Sequence, residues 1–116
     1  MARVGGCFCG ALRYVATGEP MQVTHCHCLH CRKLGGAAFV TWATFDPRNV
    51  RYTQGKPATV TSRPGVTRAF CRDCGSPISY RSDALPDEID LTVCTFDDPE
   101  TVQPVDHVWA DRLISW

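Results

Sequence analysis

The chain has 116 residues, with twelve lysines and arginines against twelve aspartates and glutamates, and eight cysteines. This length predicts a single domain over residues 1–116, with a modest core that bound metal would help to stabilise. The balanced charge and the lack of a basic run argue against a nucleic-acid partner. No apolar run approaches the roughly 20 residues of a membrane span, and the first residues do not resemble a signal peptide. We therefore expect a cytoplasmic protein that binds small molecules and has no membrane contact.

Short alternating runs of apolar and polar residues predict a mainly β fold. Strands are predicted at residues 11–15, 21–24, 37–43, 50–53, 58–62, 67–70, 77–81 and 88–93. Residues 54–57 predict a hairpin turn between the fourth and fifth of these strands. A short helix is predicted over residues 29–34, ended by Gly35 and Gly36.

Seven of the eight cysteines fall into three tight clusters. The clusters are Cys7 with Cys9, Cys26 with Cys28 and Cys31, and Cys71 with Cys74. Sulfurs this close in sequence chelate one ion easily, whereas they bridge separate loops poorly. The spacing therefore favours metal ligation in a reducing compartment over a secreted disulfide scaffold.

Counting ligands divides these cysteines between two zinc sites. A structural zinc site closes with four ligands, and the first and third clusters together supply four thiolates. We call Cys7, Cys9, Cys71 and Cys74 the four-cysteine group. Because such a site leaves no position for a substrate, we expect it to contribute to folding.

The middle cluster supplies only three thiolates. We call Cys26, Cys28 and Cys31 the three-cysteine group. Three protein ligands leave a position that water or a substrate thiol can fill. An imidazole from His25, His27 or His30 could instead close the shell and make this site structural as well. Alternation along an extended chain places His25 and His27 on the face opposite the neighbouring cysteines.

Three motifs carry a resemblance to a known family. They read Gly5-Gly6-Cys7-Phe8-Cys9-Gly10, then Cys26-His27-Cys28 with Cys31-Arg32-Lys33, then Phe70-Cys71-Arg72-Asp73-Cys74-Gly75-Ser76. Together they resemble the glutathione-dependent formaldehyde-activating enzyme family, which also includes centromere protein V. The resemblance runs from about Gly5 through His107-Val108-Trp109, nearly the whole chain.

The resemblance implies a β-tent fold of small twisted antiparallel sheets organised around zinc sites. It also implies a structural zinc at the four-cysteine group and a catalytic zinc at the three-cysteine group. The activity after which the family is named joins glutathione to formaldehyde and is classed as that of a carbon-sulfur lyase. We therefore expect an enzyme similar to S-hydroxymethylglutathione synthase, with glutathione as co-substrate and formaldehyde or another small aldehyde as the acceptor. The alternative is a non-catalytic zinc domain that binds a partner.

Side chains next to the three-cysteine group are the candidates for catalysis. A thiol bound to a cation loses its proton near neutral pH, and the thiolate can attack an aldehyde carbonyl. His27 or His30 could deliver a proton to the new alkoxide. Arg32 and Lys33 could hold the carboxylates of a peptide-like thiol, or could only screen the anionic zinc cluster. We therefore take His27, His30 and Arg32 as catalytic candidates and Arg32 and Lys33 as substrate-binding candidates.

Four further residues are interpreted as structural. Phe39, Trp42 and Tyr80 lie in predicted strands, where aromatic side chains most often belong to the core. Cys94 stands apart from the clusters and is interpreted as a small buried hydrophobic residue rather than a ligand.

Overall fold

A computed structural model describes all 116 residues of the chain. The strands are β1 (Ala2–Gly6), β2 (Arg13–Thr17), β3 (Gln22–Cys26), β4 (Val40–Phe45), β5 (Val50–Gln54), β6 (Ala58–Arg63), β7 (Val66–Phe70), β8 (Pro77–Ser82), β9 (Ile89–Thr92) and β10 (Asp106–Val108), and the α-helix is α1 (Leu29–Gly35). Short 3₁₀ turns occur at Pro47–Asn49, Val93–Thr95, Pro99–Thr101 and Ala110–Arg112. Strands hold 44% of the residues and helices 16%, which confirms the predicted mainly β fold.

The strands form two sheets. The smaller has the order β1-β2-β5, and the larger has the order β10-β3-β4-β9-β8-β7-β6. All pairings are antiparallel except that of β10 with β3, which is parallel. At the end of β3, Cys26 lies between Val40 of β4 and Val108 of β10. The larger sheet therefore brings the three-cysteine group next to a segment near the C-terminus.

The main core combines side chains from both sheets. Tyr14 of β2 is almost fully buried and belongs to the same apolar cluster as Phe45, Ile78 and Leu91 of the larger sheet. Its ring packs against Phe96 at a centroid distance of 6.3 Å. The aromatic ring gives Tyr14 a large apolar area to bury, and its hydroxyl lies 2.8 Å from the Thr95 hydroxyl. The smaller sheet is thus held to the larger one by apolar contacts as well as through the four-cysteine group.

The predicted hairpin between β5 and β6 is wrong. β5 pairs with β2 in the smaller sheet, whereas β6 pairs with β7 in the larger one. Gly55 has a φ of +76°, and its backbone passes so close to Ala11 that a Cβ would lie 2.3 Å from the Ala11 carbonyl oxygen. The chain therefore crosses between the sheets at this point. The hairpin forms one strand later, around Gly65 at a φ of +79°.

The helix matches its prediction closely, while several strand boundaries are shifted. α1 ends at Gly35, and its C-cap Gly36 adopts the left-handed conformation at a φ of 60°. β2 and β4 begin two to three residues after their predicted starts, and β1 and β10 were not predicted as strands. β10 has only three residues, too few to show an alternation in the sequence. None of the helices has the length and apolar character needed to cross a membrane.

The interpretation of Cys94 as a buried residue is also wrong. β9 ends at Thr92, and the chain turns into a 3₁₀ segment at Val93–Thr95. This turn ends the strand alternation, so that Val93 is buried and Cys94 is exposed. Cys94 does not belong to either cysteine group.

Candidate metal centres and their cavity

The four-cysteine group joins two parts of the chain that are far apart in sequence. Cys7 and Cys9 follow β1, while Cys71 and Cys74 follow β7, and all four sulfur atoms lie within 4.8 Å of one another. The sulfur of Cys9 lies 3.6 Å from that of Cys7 and 3.8 Å from that of Cys71. The group therefore brings together the smaller sheet and the far side of the larger sheet.

Backbone amides point at the sulfurs of the four-cysteine group. The Leu12 amide donates to the sulfur of Cys7 at 3.2 Å, and the Asp73 amide donates to the sulfur of Cys71 at 3.4 Å. Hydrogen bonds from amides stabilise the negative charge of a thiolate. The local backbone is therefore arranged for ionised sulfur, which is the form that binds metal.

Ser76 links the two loops of the four-cysteine group. Its hydroxyl lies 3.2 Å from the sulfur of Cys74 and accepts a hydrogen bond from the Phe8 amide at 3.0 Å. Phe8 stands between Cys7 and Cys9, so Ser76 contacts both cysteine pairs. Hydrogen bonds from the Ser76 side chain and backbone lower the pKa of Cys74 to about 6.

The three-cysteine group is local in sequence. Cys26 ends β3, Cys28 is the N-cap of α1 and Cys31 lies in its first turn. The three sulfur atoms lie within 4.8 Å of one another, and no imidazole belongs to the group. The sulfur of Cys28 accepts a hydrogen bond from the Cys31 amide at 3.3 Å, so the residue that begins the helix also orients one sulfur.

Hydrogen bonds within the three-cysteine group favour ionisation of Cys31. The Cys26 thiol makes the largest contribution, and together with Cys28, Trp42 and Arg68 it lowers the pKa of Cys31 to about 5, against the effect of burial. The same hydrogen bond to Cys31, together with burial, raises the pKa of Cys26. The group is therefore arranged to hold negative charge on sulfur.

Both cysteine groups fit a zinc ion. Every cysteine in the chain is a free thiol. A tetrahedral zinc with sulfurs at about 2.3 Å places those sulfurs about 3.8 Å apart, which agrees with the two distances in the four-cysteine group. Thiolates are soft ligands that suit zinc, whereas magnesium and calcium prefer oxygen. The two groups differ in that only the first offers a complete set of four protein ligands.

A cavity of about 450 Å³ opens beside the three-cysteine group. Besides the three cysteines, its walls include Thr24, His30, Trp42, Thr44, Arg63, Arg68, Tyr80, Asp90, Trp109 and Arg112. These residues come from β3, β4, β6 to β9, α1 and the segment after β10. The four-cysteine group does not border this cavity.

The sequence-predicted site residues divide between this cavity and other surfaces. His30 is exposed and lies on the cavity wall, whereas Arg32 and Lys33 do not line it. His27 is 4% exposed, and its Nε2 atom lies 2.8 Å from Nδ1 of His107. His25 stacks against the same His107 ring. The structure therefore brings His30 alone of the three neighbouring histidines to the cavity.

The cavity also contains residues that the sequence reasoning missed. Arg63, Arg68, Asp90 and Arg112 come from three strands and a C-terminal turn, and none of them lies within a cysteine motif. The interpretation of the aromatic residues as core is correct for Trp42, which is 7% exposed and forms an apolar cluster with Cys26 and Cys31, and Tyr80 packs against this cluster. Both rings also line the cavity. Phe39 differs, because it is 40% exposed and precedes the first residue of β4.

Asp90 is a carboxyl group on the cavity wall that forms no ion pair. Burial raises its pKa, while a hydrogen bond donated by the Thr44 hydroxyl acts in the opposite direction. Thr44 lies directly opposite Asp90 in the pairing of β4 with β9. The carboxyl group is thus held in place on one wall of the cavity.

Comparisons with known proteins agree with this architecture. The sequence profile of the glutathione-dependent formaldehyde-activating enzyme family matches residues 2–112. The chain belongs to this family. A crystal structure of a Rhodobacter sphaeroides protein is similar to this member of the formaldehyde-activating enzyme family, with a TM-score of 0.72 and 22% sequence identity over 90% of this chain and 99% of that one. At this identity the likeness extends to the fold alone. A comparison with curated protein sequences gives no significant match.

Proposed function

We propose that this protein joins a small thiol, glutathione or a similar molecule, to formaldehyde or another small aldehyde at the three-cysteine group. The observation that carries the proposal is a group of three thiols that borders a cavity of about 450 Å³ and has no fourth protein ligand. Membership of the family supports substrates of this kind. In enzyme terms this is a carbon-sulfur lyase acting in the direction of synthesis, like S-hydroxymethylglutathione synthase.

Each cysteine group would hold one Zn²⁺ ion in this proposal. Cys26, Cys28 and Cys31 would hold the catalytic ion. Cys7, Cys9, Cys71 and Cys74 would hold the structural ion. Bound at the three-cysteine group, zinc would lower the pKa of a neighbouring substrate thiol and so make a thiolate available for attack on the aldehyde.

Residues of the chain would bind the thiol and move the proton. Arg63 and Arg112 stand on the cavity wall, and the guanidinium groups of both suit the carboxylates of a peptide-like thiol. His30 is exposed at the same wall and would pass a proton to the new hydroxyl group. In the overall reaction the thiol loses its proton, a carbon-sulfur bond forms and the carbonyl oxygen gains a proton.

The chemistry fits a reducing compartment, and we propose that the protein works in the cytoplasm. All eight cysteines are free thiols. Cytosolic glutathione would keep these thiols reduced and also provide the co-substrate. We treat residues 1–116 as one zinc-binding domain because both sheets contribute to the main core.

The proposed function can be tested by following adduct formation from glutathione and ¹³C-labelled formaldehyde by NMR exchange spectroscopy. Mildly acidic buffer suppresses the uncatalysed reaction, because little free thiol is ionised there. We expect the exchange rate to rise in proportion to the protein concentration, to fall to background after removal of zinc, and to return when zinc is added. A rate equal to that of protein-free solution, with glutathione and other small thiols alike, would contradict the proposal.

A further inference from the structure

Arg68 occupies a special position beside the three-cysteine group. Its guanidinium carbon lies 5.8 Å from the ring centre of Trp42 and 5.1 Å from that of Tyr80. One of its terminal nitrogens, Nη2, lies 3.8 Å from the sulfur of Cys31. Two aromatic rings from β4 and β8 thus hold a cation from β7 at the edge of the thiol cluster.

Apart from the hydrogen bond that Nη2 donates to the sulfur of Cys31, the hydrogen-bonding capacity of Arg68 is not used by the protein. It makes no salt bridge with any carboxylate, and its Nε atom is buried without a hydrogen-bond partner. A buried donor that lacks a partner costs free energy, so native structures rarely keep one without a reason. Because Arg68 also lines the cavity, an oxygen atom of a bound molecule can complete its hydrogen bonds.

A simpler role for Arg68 is to balance the negative charge of the thiolates. That role needs a positive charge nearby but no particular orientation of it. Contacts with the rings of both Trp42 and Tyr80 restrict the position of the guanidinium, and a restricted position matters for directional hydrogen bonds rather than for charge alone. The two roles therefore make different predictions for a lysine at this position.

We propose that Arg68 binds the carbonyl oxygen of the aldehyde and stabilises the negative charge that develops on it. This inference rests on the proposed function. When the thiolate sulfur attacks the carbonyl carbon, a carbon-sulfur bond forms and the π pair of the carbonyl moves onto oxygen. The guanidinium donates hydrogen bonds to that oxygen and keeps its own protons, since arginine does not deprotonate in proteins. The oxygen then takes its proton from His30 or water, and the proton released by the thiol restores the balance.

The arrangement places both requirements of the reaction side by side. The substrate sulfur must come close to the three-cysteine group. The sulfur attacks the carbonyl carbon, and the carbonyl oxygen is bonded to that carbon, so the oxygen also lies near the group. Arg68 is a cation in direct contact with the group, because its Nη2 atom lies 3.8 Å from the sulfur of Cys31. Donors aimed at a developing oxyanion in a pocket with little water commonly accelerate acyl-transfer reactions by about 100-fold or more each.

The test compares Arg68→Gln and Arg68→Lys with wild-type protein, using Arg51→Gln as the matched control. Arg51 is exposed on β5 and lies outside the cavity. Three quantities are measured on the zinc-loaded proteins: kcat for glutathione and formaldehyde, the Kd of S-methylglutathione, and the zinc content. S-methylglutathione has no oxygen on the carbon attached to its sulfur, so its affinity reports binding of the glutathione portion without the aldehyde oxygen.

We expect Arg68→Gln to lower kcat by about 100-fold while the Kd of S-methylglutathione changes by less than about twofold and both zinc ions remain bound. Arg68→Lys should recover only a small part of kcat, and Arg51→Gln should equal wild type. Full activity in Arg68→Lys, or loss of zinc and of S-methylglutathione affinity in Arg68→Gln, would overturn the inference in favour of charge balance. Wild-type protein that accelerates no thiol-aldehyde pair would overturn the proposed function, and this inference with it.

Discussion

The two cysteine groups use similar ligands in opposite ways. In the four-cysteine group, sulfurs from residues 62 positions apart come within 3.8 Å, at a junction of the two sheets. In the three-cysteine group, all ligands lie within one strand end and one helical turn. The first group has four thiols and does not border the cavity of about 450 Å³, whereas the second has three thiols and borders it.

This difference assigns stability of the fold to the four-cysteine group and the reaction to the three-cysteine group. A metal bound by four thiols has no free coordination position. Because its ligands lie far apart in sequence, binding of the metal closes a long loop and stabilises the folded state. A metal bound by three local thiols constrains little of the chain and can take a ligand from solution. We therefore expect damage to the first group to act on folding and damage to the second to act on turnover.

The largest effect is expected for Cys74→Ser. Removing one ligand weakens metal binding at the junction of the sheets, and we expect the free energy of unfolding to fall by roughly 4 kcal/mol and Tm by roughly 15 °C. Thermal unfolding followed by circular dichroism measures this change. Cys94→Ser is the matched control, because Cys94 is exposed and outside both groups, and its Tm should stay within about 2 °C of wild type. Equal stability of the two variants would contradict a structural role for the four-cysteine group.

A smaller change in stability but a large loss of turnover is expected for Cys28→Ser. Serine is a good N-cap, so it can replace the hydrogen bond that Cys28 accepts from the Cys31 amide at the start of α1. We expect Tm to fall by no more than about 5 °C and adduct formation to fall by about 100-fold or more. The NMR exchange assay and thermal unfolding on the same sample separate the two effects. Full activity in this variant would mean that the three-cysteine group is not the reactive centre.

The smallest effect concerns recognition of the thiol. Arg63→Gln should raise KM for glutathione by about tenfold with little change in kcat, because a charge-assisted hydrogen bond to a carboxylate contributes roughly 1.5 kcal/mol or more. Arg32→Gln should leave KM within about twofold of wild type, since Arg32 does not line the cavity. Steady-state kinetics with glutathione as the varied substrate distinguishes the two arginines. The reverse result would restore Arg32, as predicted from the sequence, to the substrate site.

Much of the fold class was accessible from the sequence because short alternating runs and cysteine spacing are local signals. The mainly β fold is confirmed, and the structure does bring the predicted cysteine sets together. The hairpin at residues 54–57 could not be judged correctly, because the close approach of Gly55 to Ala11 depends on the packing of the two sheets. A turn signal indicates that the chain reverses but not which sheet it enters.

The residues of the cavity were harder to predict from the sequence than the cysteine groups. Trp42, Arg68, Tyr80 and Asp90 lie on four different strands, and they become neighbours only through the sheet order β4-β9-β8-β7. The spacing of residues in the sequence does not predict this order of strands. Arg32 and Lys33 were chosen because they follow Cys31 directly, yet they do not line the cavity. Their role in substrate binding stays a prediction.

The most direct test of the difference between the two groups is ¹¹³Cd NMR of protein in which cadmium replaces zinc. Each group should give its own resonance, and cadmium with four thiolates resonates further downfield than cadmium with three. Addition of glutathione should move the resonance of the three-cysteine group towards that of a four-sulfur site while the other stays fixed, because only the former has a position for an added thiol. Two resonances that both remain unchanged with excess glutathione would contradict this account and favour a saturated, non-catalytic zinc domain.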